Sequence, residues 1–212
     1  MEFYYCPADE YESTLVIEKS RFICNVKSIA SEEEAKEYIR KITKRHSLAN
    51  HHCYAYIADN KGNIQKFSDD GEPQGTAGMP ILNVLKSRFV YQSVAVVTRY
   101  FGGIKLGTGG LARAYGGAVC SCLDNAKLLK MYPAVVFEIE TDYDGYIKVS
   151  SRKYSESFII IERTFTDSVR LEVAVKAVSE LSAVNFEQLI REVTKGCCKI
   201  CKKTEIFYPF EV

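Results

Sequence analysis

Between Pro73 and Leu123 the chain has no aspartate and no glutamate. That window still carries Lys86, Arg88, Arg99, Lys105 and Arg113, in a protein whose formal net charge is only +1. Positive potential is therefore concentrated locally, and the small total excludes broad, non-specific coating of nucleic acid. No stretch offers the roughly 20 apolar residues that a membrane span needs, so no membrane association is expected. Met1 to Glu10 is polar and acidic, without the apolar core of a secretory signal, and the expected location is the cytoplasm. Eight cysteines in 212 residues are too sparse for a small disulfide scaffold. Cys198-x-x-Cys201, with Cys197 beside it, is at most half of a zinc site; the other half would have to come from Cys6, Cys24, Cys53 or the histidines. Reduced thiols are the alternative. No low-complexity linker and no solenoid or propeller period is present.

What is there resolves into two parts. Thr14 to Ile29 alternates as one long strand or a hairpin. Ser31 then caps a helix, and Glu34 three residues on completes a capping box. Ala35, Tyr38, Ile39 and Ile42 form that helix's apolar stripe. His52 to Ala58 and Ile64 to Ser68 read as paired strands around an Asp59–Asn63 turn. A glycine-rich loop spans Asp69 to Gly78. Ala77 to Arg88 is a short helix with Pro80 in its first turn, where the missing N–H costs nothing. Gln92 to Thr98 is a buried strand, and Leu111 to Leu129 has helical spacing. Gly116 and Gly117 in its middle suggest close packing.

Pro133 marks a boundary between domains 1–131 and 132–212. Beyond it come a strand (Ala134–Thr141), a helix capped by Asp142 and running to Tyr154, and strands Ser157–Phe165 and Val169–Lys176. A helix stopped by Gly196 and a strand from Lys203 to Phe210 follow. That order, β-α-β-β-α-β, is ferredoxin-like. The expected class is α+β.

The segment Arg99 to Leu111 carries the densest chemistry. A strand, a glycine loop and a helix start in succession form a ready anion site, because unpaired N–H groups and the helix dipole point at the ligand. The match of Gly107 to Ala112 to G-x-G-x-x-A lacks the acid closing a following strand, which excludes a dinucleotide fold. Gly102 to Gly107 has P-loop spacing, but Thr108 stands where the lysine belongs. What survives is the underlying physics. Thr108 is the expected N-cap, and Gly102, Gly103, Gly107, Gly109 and Gly110 let the backbone approach. Lys105 is a point charge, and Arg99 and Arg113 are forks for phosphate oxygens. The glycines would alternatively serve turn geometry alone.

Asp69, Asp70 and Glu72 adjoin a second glycine turn. They would hold Mg²⁺ against a phosphate, or simply build an Asp-Gly turn and a helix start. His51 and Cys53 share one face of their strand and His52 the other. Either histidine would join an anion pocket if the strand end lies near the glycine loop.

Ser20-Arg21-Phe22-Ile23, Asn50 through Tyr56, Asp69 through Gly78, and above all Arg99 through Tyr115 together resemble the Impact/YigZ family, strongly over about residues 14–130. The resemblance implies an N-terminal α/β sandwich like a domain of a small-subunit ribosomal protein. The second domain would be similar to one near the end of the translocating elongation factor. Eukaryotic members restrain a translational stress kinase by competing for its activator. They do so with a further N-terminal module, so that partner is not expected here. The paired-metal ligand set of a peptidase is not evident.

Two functions follow as expectations. The first is a regulatory binding protein of the translation apparatus. It would engage RNA phosphates, a nucleotide or a ribosome-associated factor through the glycine loop, with Tyr100, Phe101 and Tyr115 available for stacking and the ferredoxin-like sheet as a second surface. The second is an enzyme acting on a phosphorylated small molecule with magnesium. The first is preferred.

Overall fold

The alternating Thr14–Ile29 segment folds as a hairpin, β2 (Tyr11–Ile17) and β3 (Ser20–Ser28), after a short β1 (Tyr4–Pro7). Glu18 and Lys19 both take positive φ (45° and 64°) at its turn, as the two central residues of a hairpin turn that follows strand twist must. A computed structural model describes residues 2–151, 158–177 and 180–210. The chain divides into two compact units, Phe3–Leu129 and Lys130–Val212.

In the first unit, α1 (Glu32–Arg45) begins as expected: Ser31 Oγ accepts from Glu34 N at 3.2 Å, and Glu34 reaches back to Ala30 N at 2.8 Å. Then come β4 (His51–Ile57), β5 (Gln65–Ser68), α2 (Gly78–Ser87), β6 (Ser93–Tyr100) and α3 (Gly107–Asp124). The sheet order is β2-β3-β6-β4-β5, antiparallel throughout. Because side chains alternate, the central strand β6 buries two faces. Val94 and Val96 join Tyr56, Ala35, Tyr38 and Ile42 under α1. Ala95 and Val97 face the opposite way, level with Val26 and Cys24 on β3 and with Ala55 and Cys53 on β4. On that side α3 covers β2 and β3, and α2 covers β4 and β5.

The second unit comprises β7 (Leu128–Thr141), α4 (Tyr143–Val149), β8 (Ile159–Phe165), β9 (Val169–Lys176), α5 (Glu180–Val193) and β10 (Cys198–Pro209). Its strands run β10-β7-β9-β8, all antiparallel, which is the ferredoxin-like arrangement. Asp142 caps α4 through Gly145 N at 2.7 Å. The core gathers Val135, Phe137, Ile139, Leu171, Val173, Phe158, Phe186 and Ile190. The molecule is thus α+β, and no helix among the described residues is long and apolar enough to cross a membrane.

Four expectations need correction. First, α3 starts at Gly107, not Leu111, so Leu106 is its N-cap and Thr108 lies inside the first turn; packing against the sheet outweighs the low helix propensity of its glycines. Second, β7 starts at Leu128 rather than Ala134; Pro133 sits one residue before the β9 ladder begins at Ala134, so its missing N–H breaks no ladder bond there. Third, β10 starts at Cys198, five residues before the expected Lys203. Cys198 and Ile200 turn inward while Cys201 is exposed; the two ends of Cys-x-x-Cys therefore point to opposite faces of an extended strand, which defeats a shared zinc ion. Fourth, Gly116 and Gly117 are not closely pressed. A Cβ on Gly116 would meet Val84 at 3.7 Å and one on Gly117 would meet Leu15 at 3.7 Å, which are ordinary contacts. The expected end of α4 at Tyr154 and the start of the next strand at Ser157 lie outside the described residues.

Gly102 is the opposite case, since a Cβ there would fall 2.0 Å from the Lys19 carbonyl carbon. Gly102→Ala is expected to cost several kcal/mol by forcing two backbones apart, on the order of a severe strain mutation. Gly116→Ala should stabilise by roughly 0.5–1 kcal/mol through helix propensity. Thermal unfolding of the two variants, followed by circular dichroism, should move in opposite directions.

Candidate functional site

β6 ends by delivering Arg99, and the chain then turns through Phe101–Leu106 into α3. Arg99 shares a sheet face with Phe22 and His51, its register partners on β3 and β4. Its side chain is buried, with the residue 5% exposed. The guanidinium lies against the rings of Phe22 (5.4 Å) and Phe101 (5.3 Å). NH1 donates to Glu72 Oε1 at 2.7 Å and NH2 to Ser20 Oγ at 3.3 Å. The same Glu72 oxygen accepts from Tyr115 Oη at 2.7 Å. Ser20 Oγ in turn accepts from Gly102 N at 3.1 Å. A bidentate-capable cation has become an internal strut, so the expectation that Arg99 forks onto a bound anion is corrected: its charge is already matched by Glu72.

The acidic loop has a structural job as well. Asp69 accepts from Gly75 N (2.8 Å), Ala77 N (3.0 Å) and Gly78 N (2.8 Å), capping α2, which has no cap from its own Ala77. Burial pushes the Asp69 carboxyl up, but the N–H groups of Gly75, Gly78 and Ala77 outweigh it and hold the group below the usual carboxylate range. Asp70, at φ 40°, accepts from His52 N at 2.6 Å. Asp69, Asp70 and Glu72 thus point at three different sets of partners. Among the described residues no group of histidine, cysteine and carboxylate side chains forms a metal cluster, and the Mg²⁺ arrangement expected of these three is corrected accordingly.

His51 and His52 separate as strand alternation requires. His51 Nδ1 lies 2.7 Å from the Asp70 carbonyl, which can only accept, so that nitrogen carries the proton. Its Nε2 stands 4.0 Å from Glu72 Oε1. His51 therefore belongs to the Arg99–Glu72 cluster. His52 lies on the other face, with Nε2 3.1 Å from the His46 carbonyl. Cys53 donates to the Asp69 carbonyl at 3.0 Å, and burial pushes its thiol far above the usual range, so it is no nucleophile.

What remains open is the start of α3. Lys105, Gly107, Thr108, Gly109 and Arg113 are exposed, while Gly110 is half-buried against Leu106. Gly103 and Gly107 hold positive φ (87° and 69°), which lets the loop turn into the helix. No side chain caps α3, and no acid lies in its first turn. Its first N–H groups therefore face outward unpaired. Arg113 bends back over them, its NH1 3.6 Å from where a Gly109 Cβ would stand. Among the described residues neither Lys105 nor Arg113 has an ion-pair partner, whereas Arg88 is held by Asp124. Tyr115 is fully buried, which removes it as a stacking surface; Phe101 is 45% exposed. In the ferredoxin-like sheet Glu138 and Glu172 stand opposite each other, with Lys203 on Glu138 at 2.9 Å and Lys199 near Glu140 at 4.0 Å.

No local pattern points to Ser20 or Tyr115 as members of this cluster. Glu72 has one signal: it is the last acid before the acid-free window, and Arg99 inside that window is a buried cation in need of one.

A two-unit α+β protein with a glycine loop locked between a hairpin and a helix start defines a family. The Impact N-terminal domain profile matches residues 18–123. IMPACT family member YvyE of Bacillus subtilis is 40% identical over 205 residues, covering 97% of this chain and 93% of that protein. IMPACT family member YigZ of Escherichia coli is 37% identical, covering 86% of this chain and 92% of that protein. A crystal structure described as a hypothetical protein aligns over 96% of this chain and 98% of its own, with 32% identity and a TM-score of 0.62. The chain belongs to the IMPACT family.

Glu72→Gln should lower stability by about 3 kcal/mol or more, since it leaves the buried Arg99 without a counter-charge; denaturant unfolding measures it. Asp69→Asn places an amide donor against backbone donors and should cost about 1 kcal/mol at neutral pH, as removal of a helix cap does. Because a carboxylate held low stabilises the fold above its unfolded value and gives this up as pH falls through its folded value, the variant should also lose less stability than wild type on acidification.

Proposed function

We propose that this protein is a regulatory binding protein linked to translation, and that it takes phosphate groups of RNA or a nucleotide at the start of α3. The observation that carries the reading is the uncapped, acid-free first turn of α3 with Lys105 and Arg113 beside it, both exposed and unpaired among the described residues. Outward N–H groups and the helix dipole supply fixed partial positive charge, and the two side chains supply mobile full charges. Thr108, Gly107 and Gly109 line the turn without blocking it. The link to translation rests on membership of the IMPACT family, and an RNA or a ribosome-associated factor in the cytoplasm is the partner it implies. The enzyme alternative is weaker, because every carboxylate it would use for metal or base chemistry is engaged in hydrogen bonds of the fold.

In a filter-retention assay with RNA, Lys105→Glu combined with Arg113→Glu should weaken binding at least tenfold. The slope of log affinity against log salt should flatten by roughly 1.4, about 0.7 for each single-strand phosphate that is no longer neutralised. Retention equal to wild type would remove the basis of the reading.

A further inference from the structure

The sheet of the first unit ends at β2, which pairs on one side only. Among the described residues no backbone hydrogen bond from any other segment reaches Glu12, Thr14 or Val16. The two-residue turn at Glu18–Lys19 makes Ile17 and Ser20 a hydrogen-bonded pair. By alternation Leu15, Ser13 and Tyr11 also bond to β3, while the N–H and C=O groups of Val16, Thr14 and Glu12 point away from the sheet. The side chains of those same three residues are the exposed ones on this strand, and Val16 is 64% exposed. An edge of this kind invites another strand unless something blocks it. Three other strands with a free side among the described residues are blocked. β5 is four residues long and carries Lys66. β8 has a register shift between Ile160 and Glu162 and charges at Glu162 and Arg163. β10 has a shift between Lys202 and Thr204, with lysines at Lys199, Lys202 and Lys203. β2 keeps an unbroken register over seven residues, with no lysine, arginine or proline, one acid in Glu12, and β-branched Thr14, Val16 and Ile17.

We infer that β2 is the surface through which two copies of this chain associate, edge to edge and antiparallel about a two-fold axis at Thr14, so that their five-stranded sheets become one. The strand is built to match itself. Its middle residue is Thr14, and Thr14 is one of the residues whose backbone groups face outward. A two-fold axis there sets Thr14 against Thr14 and Glu12 against Val16 of the second copy. The whole strand overlaps, and the pairing forms roughly six backbone hydrogen bonds. A centre at Ser13 or Leu15 would not work, because their backbone groups are taken up by β3. Slipping the axis to Glu12 would set like charges directly opposite; at Thr14 the only charged side chain of the strand meets an apolar one. On the other sheet face Leu15 then meets Ser13. α3 packs on β2 and β3, so the two α3 helices come to lie side by side at about two strand spacings, roughly 10 Å, a normal distance for packed helices. On that flank α3 presents Gly117, where a Cβ would meet Leu15 at 3.7 Å, and Ser121 one turn on, both small enough to leave room. This self-match of length, hydrogen-bonding phase and charge selects a second copy over an unrelated strand.

Analytical ultracentrifugation of the full chain over a concentration series tests it, and wild type should show a monomer–dimer equilibrium. Thr14→Lys and Thr14→Glu each set like charges against each other at the axis and should raise the dimer dissociation constant roughly tenfold or more. An equimolar mixture of the two variants should dimerise again, because lysine then faces glutamate. Thr14→Pro removes an outward N–H without breaking a bond to β3, and should weaken the dimer to a similar degree. Amide hydrogen exchange on wild type needs no variant to fold: Glu12, Thr14 and Val16 should be protected at high protein concentration and exchange freely at low. A wild type that stays monomeric at every concentration overturns the inference, whatever other strand the edge accepts. So does a dimer that the Thr14 variants leave unchanged, a mixture of Lys and Glu variants that fails to recover, or exchange in β2 that does not depend on concentration.

Discussion

The Arg99 guanidinium is packed between aromatic rings out of reach of solvent, and an ion so placed is tolerable only when paired and hydrogen-bonded. Glu72 supplies the charge, Ser20 the second acceptor, and Tyr115 shares the carboxylate. These four residues come from a central strand, the loop before α2, the hairpin tip and α3. One ion pair thereby ties together the hairpin, both helices of one sheet face, and the glycine loop, whose Gly102 N–H hangs from the same Ser20 hydroxyl. Removing either charge leaves the other stranded, so the cluster behaves as a unit.

That pairing also decides where positive potential emerges. An acid-free window with several cations invites the view that all of them converge on a ligand. The fold uses Arg99 internally and ties Arg88 to Asp124, leaving Lys105 and Arg113 facing outward beside an uncapped helix. The carboxylates of the preceding loop are engaged in the same way: Asp69 caps α2 and Asp70 fixes the β4 backbone. Dense polar sequence here is chiefly scaffold, and the exposed cations Lys105 and Arg113 lie at its rim, where the loop meets α3.

Much of the architecture was legible because it is written in local patterns. Alternation around Glu18–Lys19 announced a hairpin, Ser31 with Glu34 announced α1, and Asp142 announced α4. The ferredoxin-like order followed from the succession of periods. The errors share a cause. Glycines at 107–110 disfavour a helix locally, yet packing of Leu111, Ala114 and Tyr115 carries α3 back to Gly107. Pro133 suggests that the strand starts after it, at Ala134, but it sits just before the β9 ladder and leaves a strand from Leu128 intact. Cys198 and Ile200 alternate with Lys199 and Cys201 as an edge strand should, a signal masked by the metal-like cysteine spacing.

The amino-acid order alone determined the α+β class, the two-part organisation of secondary structure and the concentration of positive charge after residue 73, since each depends on neighbours a few positions apart. Which charges remain available was decided only by tertiary structure. Glu72 and Arg99 are 27 positions apart, and Ser20 and Arg99 are 79 apart; no local pattern encodes a counter-ion at such separations, because the pairing exists only once three strands and a helix have closed around it.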